Sequence, residues 1–290
     1  MKIKKAVIPA AGFGTRILPS TKSMPKEMYP LIDRPTIDYI VREAVDSGIE
    51  DILVITSRGK NIIEDYFDES PELEKSLEKT GKLEIKKEIR EISNLANIYF
   101  IRQKEAKGLG DAILHAKSFV GNEPFAVLYG DDVMTSSKKP VCRQLIDAYE
   151  EFNLAVVAAK EMPRSQISRY GSLKVDNIRD NIFKCTDMVE KPTPDKVLSL
   201  YSILGRCVLT PEIFEILENT APGVGGELQL TDAMKVLARR DGMIALDFEG
   251  KRYDMGSKIG ILKAFFEIGI GHSEVGEEFR NYVKEEIKNL

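Results

Sequence analysis

Residues 10–30, from Ala10 to Pro30, read AAGFGTRILPSTKSMPKEMYP. They follow an apolar run, residues 3–9, whose pattern predicts a buried strand. Gly12 and Gly14 come at once after it, then Thr15 and the cation Arg16; Pro19, Pro25 and Pro30 punctuate the rest, and Lys26 follows Pro25. Glycine lets a backbone turn through positive φ and lets a ligand come close. Successive exposed N–H groups in such a turn form a concavity for anions. Arg16 and Lys26 add positive charge suited to phosphate oxygens. The stretch therefore predicts a phosphate cradle built on Gly12, Gly14 and the backbone around Ala10 and Ala11. The plain alternative is a tight turn. Two familiar phosphate motifs do not fit. A P-loop places Lys and then Ser or Thr straight after its second glycine, where Thr15-Arg16 stand. A dinucleotide site needs a third glycine where Ile17 stands, which removes a dehydrogenase reading.

Outward from this loop, residues 36–47 carry a helical period and residues 52–56 a second buried strand. Strand, loop, helix and strand make a βαβ unit, with parallel strands and a right-handed crossover. A helix is expected at 61–67. Residues 68–91 are dense in Glu and Lys and predict a solvated amphipathic helix broken at Gly81. A strand at 98–102 ends in Gln103 and Lys107-Gly108-Leu109-Gly110-Asp111-Ala112, which opens a helix to residue 119. A strand at 125–129 ends in Gly130-Asp131-Asp132. Ligands of open parallel sheets bind at the carboxyl ends of strands, so these loops are expected to converge. From residue 154 the strands follow more closely, at 154–160, 172–175, 182–190 and 200–209, with a hairpin turn expected at Asp176-Asn177. Helices at 211–217 and 231–239 and a strand at 243–248 follow. Arg252-Tyr253-Asp254-Met255-Gly256 leads into a helix at 257–270, and a charged helix is expected at 273–290. The class is α/β, with a central mixed, mainly parallel sheet flanked by helices.

The 290 residues suffice for a large core, and the net charge of −4 argues against a general nucleic-acid binder, which needs a basic face. Cys142, Cys185 and Cys207 are odd in number and widely spaced, which predicts a reducing compartment and no zinc site. No apolar run approaches the ~20 residues of a membrane span, and the early strand leaves no room for a signal peptide. A cytoplasmic protein with no membrane partner is expected.

Asp131 and Asp132 are adjacent carboxylates after a buried strand and a glycine, suited to a hard divalent cation such as magnesium (Mg2+). Neighbours on a strand point to opposite faces, so one of the pair is expected to ligate, and Asp131 is the expected one. A Gly-Asp-Asp turn is the alternative. Asp254 also stands between a strand and a glycine, where a helix cap is the commoner role. The Gln103 amide both donates and accepts, which matches the imide edge of uracil or thymine, and Gly108 admits a flat ring; a surface loop is the alternative. His115 and His272 have no evident catalytic partner.

Gly12-Phe13-Gly14-Thr15-Arg16, Leu18-Pro19, Thr21-Lys22 and Pro25-Lys26-Glu27-Met28 together resemble the signature of nucleotidyltransferases that make sugar nucleotides. Within that group they are most similar to bacterial UTP–glucose-1-phosphate uridylyltransferases. Further motifs extend the resemblance to about residue 270: Tyr170-Gly171, Val189-Glu190-Lys191-Pro192 and Gly226-Glu227-Leu228-Gln229-Leu230-Thr231-Asp232. It implies a Rossmann-like, glycosyltransferase-A-like domain over 1–270. The nucleotide half would span about 1–135 and the sugar half about 136–270, with 271–290 as a helix at a subunit contact of a homodimer or homotetramer. It implies UTP and glucose 1-phosphate as substrates, UDP-glucose and pyrophosphate as products, and Mg2+ on Asp131 and Asp254. Arg16, Lys26 and Lys191 would be catalytic. Ala10, Ala11, Gly12, Gly14, Thr15, Gln103 and Gly108 would bind nucleotide; Gly171, Glu190 and Lys191 would bind sugar. For Glu190-Lys191 alone, an exposed ion pair is the better local reading. Asp111 stands where such proteins commonly carry His, and Gly205-Arg206-Cys207 lacks their usual aromatic after Arg. Such a transfer needs no general base, because the attacking phosphate is already ionised; it needs charge neutralisation and alignment. Thymidylyl transfer to the same sugar phosphate is the nearest alternative. A non-catalytic sugar-nucleotide sensor is the other, although it would not need Arg16, Lys26, Asp131 and Asp254 together.

Overall fold

The computed structural model describes residues 2–288. In the first half, β1 (Lys5–Pro9) leads through short 3-10 turns to the ribbon β2 (Pro30–Leu31) and β3 (Arg34–Pro35), then to α1 (Thr36–Asp46) and β4 (Asp51–Thr56). Next come α2 (Asn61–Phe67), α3 (Pro71–Lys79), α4 (Leu83–Ser93), β5 (Asn97–Arg102), α5 (Leu109–Leu114), α6 (Lys117–Val120) and β6 (Phe125–Leu128). The second half begins with β7 (Asp132–Thr135), α7 (Val141–Phe152), β8 (Val156–Glu161), β9 (Gly171–Arg179), β10 (Ile182–Glu190) and β11 (Tyr201–Leu209). It closes with α8 (Glu212–Glu218), α9 (Leu230–Arg240), β12 (Met243–Asp247), β13 (Lys251–Asp254), α10 (Lys258–Gly271) and α11 (Gly276–Ile287). The last residues of the expected terminal helix, 289–290, lie outside the described residues.

Nine strands form one mixed sheet in the order β5-β4-β1-β6-β11-β8-β12-β10-β9. The strands β5, β4, β1 and β6 run parallel. In the other half, only β12 beside β8 is parallel; β11 pairs antiparallel with β6 and β8, and β10 with β12 and β9. Parallel character is thus concentrated in the first half. There β6 is buried along its whole length and β4 from Ile52 to Thr56, as strands covered by helices on both faces must be. Two apolar clusters fill the two faces, one under α1 and α7, the other under α5, α8 and α9.

Two differences from the sequence pattern have physical causes. The hairpin turn is not at Asp176-Asn177: those residues continue β9 and pair with Lys184 and Phe183. The chain reverses at Asp180-Asn181, with Asp180 at φ 40°. Two Asp-Asn dipeptides offer the same local turn chemistry, and cross-strand pairing selects the second. The unassigned stretch before residue 154 holds α7, whose Val141, Cys142, Leu145, Ile146 and Tyr149 share a buried face.

A small antiparallel pair outside the main sheet matters most for function. β13 lies on β7 with Asp254 opposite Asp132, and Met255 N–H donates to the Asp131 carbonyl at 2.8 Å. Beneath it, Arg206 and Glu43 form a buried ion pair at 2.6 Å, and Arg206 Nη2 also donates to the Asp132 carbonyl at 2.8 Å. Removing one partner of such a pair costs about 3–5 kcal/mol, because the other charge is left buried alone. The Asp131-Asp132 turn is therefore held from below.

Candidate active site

The carboxyl ends of β1, β4, β5 and β6 lie on one side of the sheet, as parallel strands require, and their loops are tied together. Ala10 N–H donates to Ile55 O, Gln103 N–H to Thr56 O, and Gly130 N–H to Pro9 O. Two adjoining cavities open there. The first, about 440 Å³, is lined by Ala11, Gly12, Phe13, Gly14, Thr15, Lys26, Gln103, Gly108, Tyr129, Asp131 and Glu227, among others. The second, about 640 Å³, shares Tyr129 and Asp131 and adds Arg16, Lys191, Arg252 and Asp254.

The glycine loop leaves β1 without regular structure. Among the described residues, the N–H groups of Ala11, Gly12, Phe13 and Gly14 donate to no protein acceptor. Gly14 sits at φ 67°, and its carbonyl accepts from Thr21 Oγ1 at 2.8 Å. A side chain there would be strained by φ and would press on Thr21 Cγ2 at 3.0 Å. Ala10 is different: its side chain is buried, and it does not line the cavity.

Lys26 lies in a 3-10 turn behind Pro25, and its Nζ meets Asp131 Oδ2 at 2.5 Å. Burial alone would lower the pKa of Lys26, but Asp131 and Glu27 carry it above the ordinary lysine value. Burial likewise works against the Asp131 carboxylate, yet Lys26, Arg252 and Arg16 hold its pKa below the ordinary one. Asp132 points the other way, onto Arg252 at 2.6 Å; burial and the neighbouring Asp131 push its pKa up. Asp131 lines both cavities, whereas Asp132, paired across the strands with Asp254, lines only the second.

Arg16 joins the two carboxylates, 3.0 Å from Asp254 Oδ2 and 4.0 Å from Asp131 Oδ2, with its side chain 61% exposed. A methyl group built on Gly256 would stand 2.9 Å from both Asp131 Oδ2 and Asp254 Oδ1, so the two oxygens converge on one small space. Among the described residues no group of three or more His, Cys, Asp or Glu is arranged to hold a metal by itself. The Arg16 guanidinium also borders that space and bridges the two carboxylates, so a cation held there would take the place of Arg16 between them and complete its shell with water and substrate phosphate oxygens.

Gln103 is buried at the floor of the first cavity. Its amide nitrogen donates to Asp111 Oδ2 at 2.6 Å and to Gly108 O at 3.2 Å. Gly108 has φ 102°, and a Cβ there would strike Leu228 O at 2.7 Å, so this backbone is pressed against the 227–228 segment. Gly110 N–H donates to Leu228 O and Leu228 N–H to Lys107 O, both at 2.8 Å. This pairing splits the motif at 226–232. Glu227 reaches the first cavity rather than the sugar side, whereas Thr231 donates to Glu190 Oε2 at 2.8 Å.

Glu190 ends β10 opposite Gly171. Lys191 follows at φ 41°, with Nζ 3.4 Å from Glu190 Oε1 and its side chain 52% exposed. Lys191 lines the second cavity; the expected sugar-binding residues Gly171 and Glu190 do not. Lys60 and Glu27, both buried against the glycine loop, escaped sequence reasoning, as did Tyr129 and Arg252. Lys60 follows the carboxyl end of β4, the position that marks the other loops, but a lone lysine before a helix carries no local sign of burial.

A profile of the family described as "Nucleotidyl transferase" matches residues 5–269. A UTP–glucose-1-phosphate uridylyltransferase of Bacillus subtilis, YngB, is 47% identical over 287 residues, covering 99% of this chain and 96% of the relative. Among solved structures, a UTP-bound UGPase from Acinetobacter baumannii superposes with a TM-score of 0.89 at 38% identity, covering 98% of this chain and 99% of the other. A UDP-glucose pyrophosphorylase complexed with UDP-glucose superposes with a TM-score of 0.83 at 42% identity, covering 91% and 97%. The matched span, residues 5–269, contains the residues that line both cavities, and the chain belongs to the nucleotidyl transferase family.

Proposed function

We propose that this chain is a UTP–glucose-1-phosphate uridylyltransferase, which transfers the uridylyl group of UTP to α-D-glucose 1-phosphate and releases pyrophosphate. The observation that carries the reading is the run of four unpartnered N–H groups, Ala11 to Gly14, lining one cavity with Lys26 and Asp131. Relatives that are near half identical over almost the full length perform this transfer by name, and neighbouring structures hold UTP and UDP-glucose.

In the reaction, a phosphate oxygen of glucose 1-phosphate attacks the α-phosphorus of UTP. A new P–O bond forms, the bond to the β-phosphate breaks in line, and pyrophosphate leaves with the electron pair. No side chain needs to remove a proton from the ionised nucleophile. The loop N–H groups and Thr15 receive the nucleotide phosphates, and Arg16 and Lys26 neutralise charge that grows on the leaving pyrophosphate. Lys191 holds the sugar phosphate, and Glu190, beside Gly171, accepts from sugar hydroxyls. With its Nε2 engaged by Asp111 and Gly108, Gln103 would meet the uracil imide edge as an acceptor through Oε1, beside the Gly108 backbone. Donors aimed where charge develops each contribute about 10²–10³ in rate. The expected cation is Mg2+: Asp131 and Asp254 would hold it, and it supplies charge neutralisation on phosphate oxygens.

In this reading residues 1–135 form the nucleotide half and 136–270 the sugar half of one domain, and the protein works in the cytoplasm as a homodimer or homotetramer. Three buried free cysteines support a reducing compartment, and no helix among the described residues is long and apolar enough to cross a membrane. Exposed Ile259, Leu262 and Phe266 along α10 support a subunit contact.

The test is pyrophosphate release with glucose 1-phosphate and Mg2+, run with UTP, dTTP, ATP, GTP and CTP in parallel. Release is expected with UTP and abolished by EDTA. Faster release with dTTP would move the protein to thymidylyl transfer. No release from folded protein that still binds UDP-glucose would overturn catalysis in favour of sensing.

A further inference from the structure

Lys60 is a lysine with a saturated ammonium group behind the phosphate loop. Its side chain is 9% exposed, and Nζ donates to Ala10 O at 2.5 Å, Gly12 O at 2.8 Å and Glu27 Oε2 at 2.9 Å. A lysine ammonium has three donors, and all three are spent on protein. It does not line either cavity.

The two carbonyls it holds alternate along the loop. In a trans peptide the C=O and the following N–H point in opposite directions. With the Ala10 and Gly12 carbonyls turned back onto Lys60, the N–H groups of Ala11 and Phe13 face away from it. Ala11 and Phe13 line the first cavity, and both N–H groups lack a protein acceptor among the described residues. One buried cation thus orients two of the four free donors.

The third bond reaches the other wall. Glu27 shares its 3-10 turn with Lys26. Its side chain turns inward to Lys60, while Lys26 turns outward to Asp131. The ion pair therefore fixes the loop and the Lys26 turn to one another. A Cβ at Gly12 would lie 3.7 Å from Lys26 Nζ, which shows how close the two walls stand.

We propose that Lys60, anchored by Glu27, is a positioning residue that aims the Ala11 and Phe13 amides at nucleotide phosphates and sets their distance from Lys26. This rests on the uridylyl-transfer reading for the identity of the phosphate ligand. Lys60 touches no substrate; its action passes through the peptide planes.

The experiment compares Lys60→Met, Glu27→Gln and the double variant Lys60→Met/Glu27→Met with wild type. Binding of UTP, inorganic pyrophosphate and uridine is measured by calorimetry, and steady-state kinetics are run where turnover exists. Lys60→Met is expected to lower kcat/KM for UTP about 10²-fold and to weaken pyrophosphate binding, with uridine binding kept, because Gln103 and Gly108 lie on other elements. KM for glucose 1-phosphate should stay within about threefold. Glu27→Gln keeps an acceptor for Lys60 and should lose less than about tenfold. If Lys60→Met does not fold, the double variant removes both charges and leaves none buried alone; folded, it should show the same selective loss of phosphate affinity. Equal loss of uridine and UTP, or unchanged pyrophosphate binding in a folded Lys60 variant, would overturn the positioning role. Pyrophosphate binding is read without turnover, so an inactive wild type would count against uridylyl transfer and leave the test of Lys60 intact.

Discussion

The loop after β1 and the turn after β10 each place polar groups beside a cavity, by opposite means. In the loop the polar groups are backbone amides, free of protein partners and held from behind by Lys60. After β10 they are side chains already engaged with one another: Lys191 with Glu190, and Glu190 with Thr231. Backbone donors lose no side-chain entropy when a ligand arrives, because folding has already fixed them. The Lys191 side chain must leave a carboxylate and stop moving. On the proposed reading, the nucleotide side is preorganised by the fold and the sugar side would be completed by its ligand. Arg16 belongs with the second type, since it is exposed and parked on Asp254.

The largest expected effect tests the fixed side. Lys26→Ala should cost about 10³-fold in kcat/KM if, as proposed, this buried cation is aimed at developing charge. A loss under tenfold in pyrophosphate-release assays would reduce Lys26 to a counter-ion for Asp131. Lys191→Ala should cost about 10²-fold, with the KM of glucose 1-phosphate rising more than that of UTP. Equal rises in both KM values would erase the distinction between the two sides. Thr231→Val removes the hydroxyl that orients Glu190 and should raise the KM of glucose 1-phosphate about fivefold, leaving UTP unchanged.

The smallest effect belongs to a surface pair outside both cavities. Arg239 meets Asp187 at 2.8 Å, and this bond, working against partial burial, lowers the Asp187 pKa. A carboxylate with a depressed folded pKa contributes stability above its ordinary pKa and loses it as the pH falls through the folded value. Wild type should therefore melt slightly above Arg239→Ala at pH 7, and the two melting curves should converge as the pH drops below the ordinary aspartate range. Kinetic constants for both substrates should not change. An altered KM would mean that α9 transmits strain to Glu190 through Thr231.

Legibility followed the range of the interaction. The βαβ start, the glycine loop and the carboxylate after β6 were visible because each is written in a few adjacent residues. The break at Gly81 between α3 and α4 was visible for the same reason. The hairpin turn was not, because Asp176-Asn177 and Asp180-Asn181 differ only in what lies across the sheet. The motif at 226–232 looked like one unit in sequence, yet backbone pairing with residues 107–110 sends Glu227 and Thr231 to different places.

The sequence by itself determined the strand periods, the glycine turn at positive φ and the supply of cations and carboxylates, since these depend on local sterics and side-chain chemistry. Tertiary structure alone decided which of them meet. It laid β13 on β7 so that Asp254 approaches Asp131, and it turned Asp132 away onto Arg252. It also buried Lys60 against two carbonyls and Glu27. A lysine in a sequence is the same whether solvated or buried; its role is set by how distant segments pack, and packing depends on the whole chain.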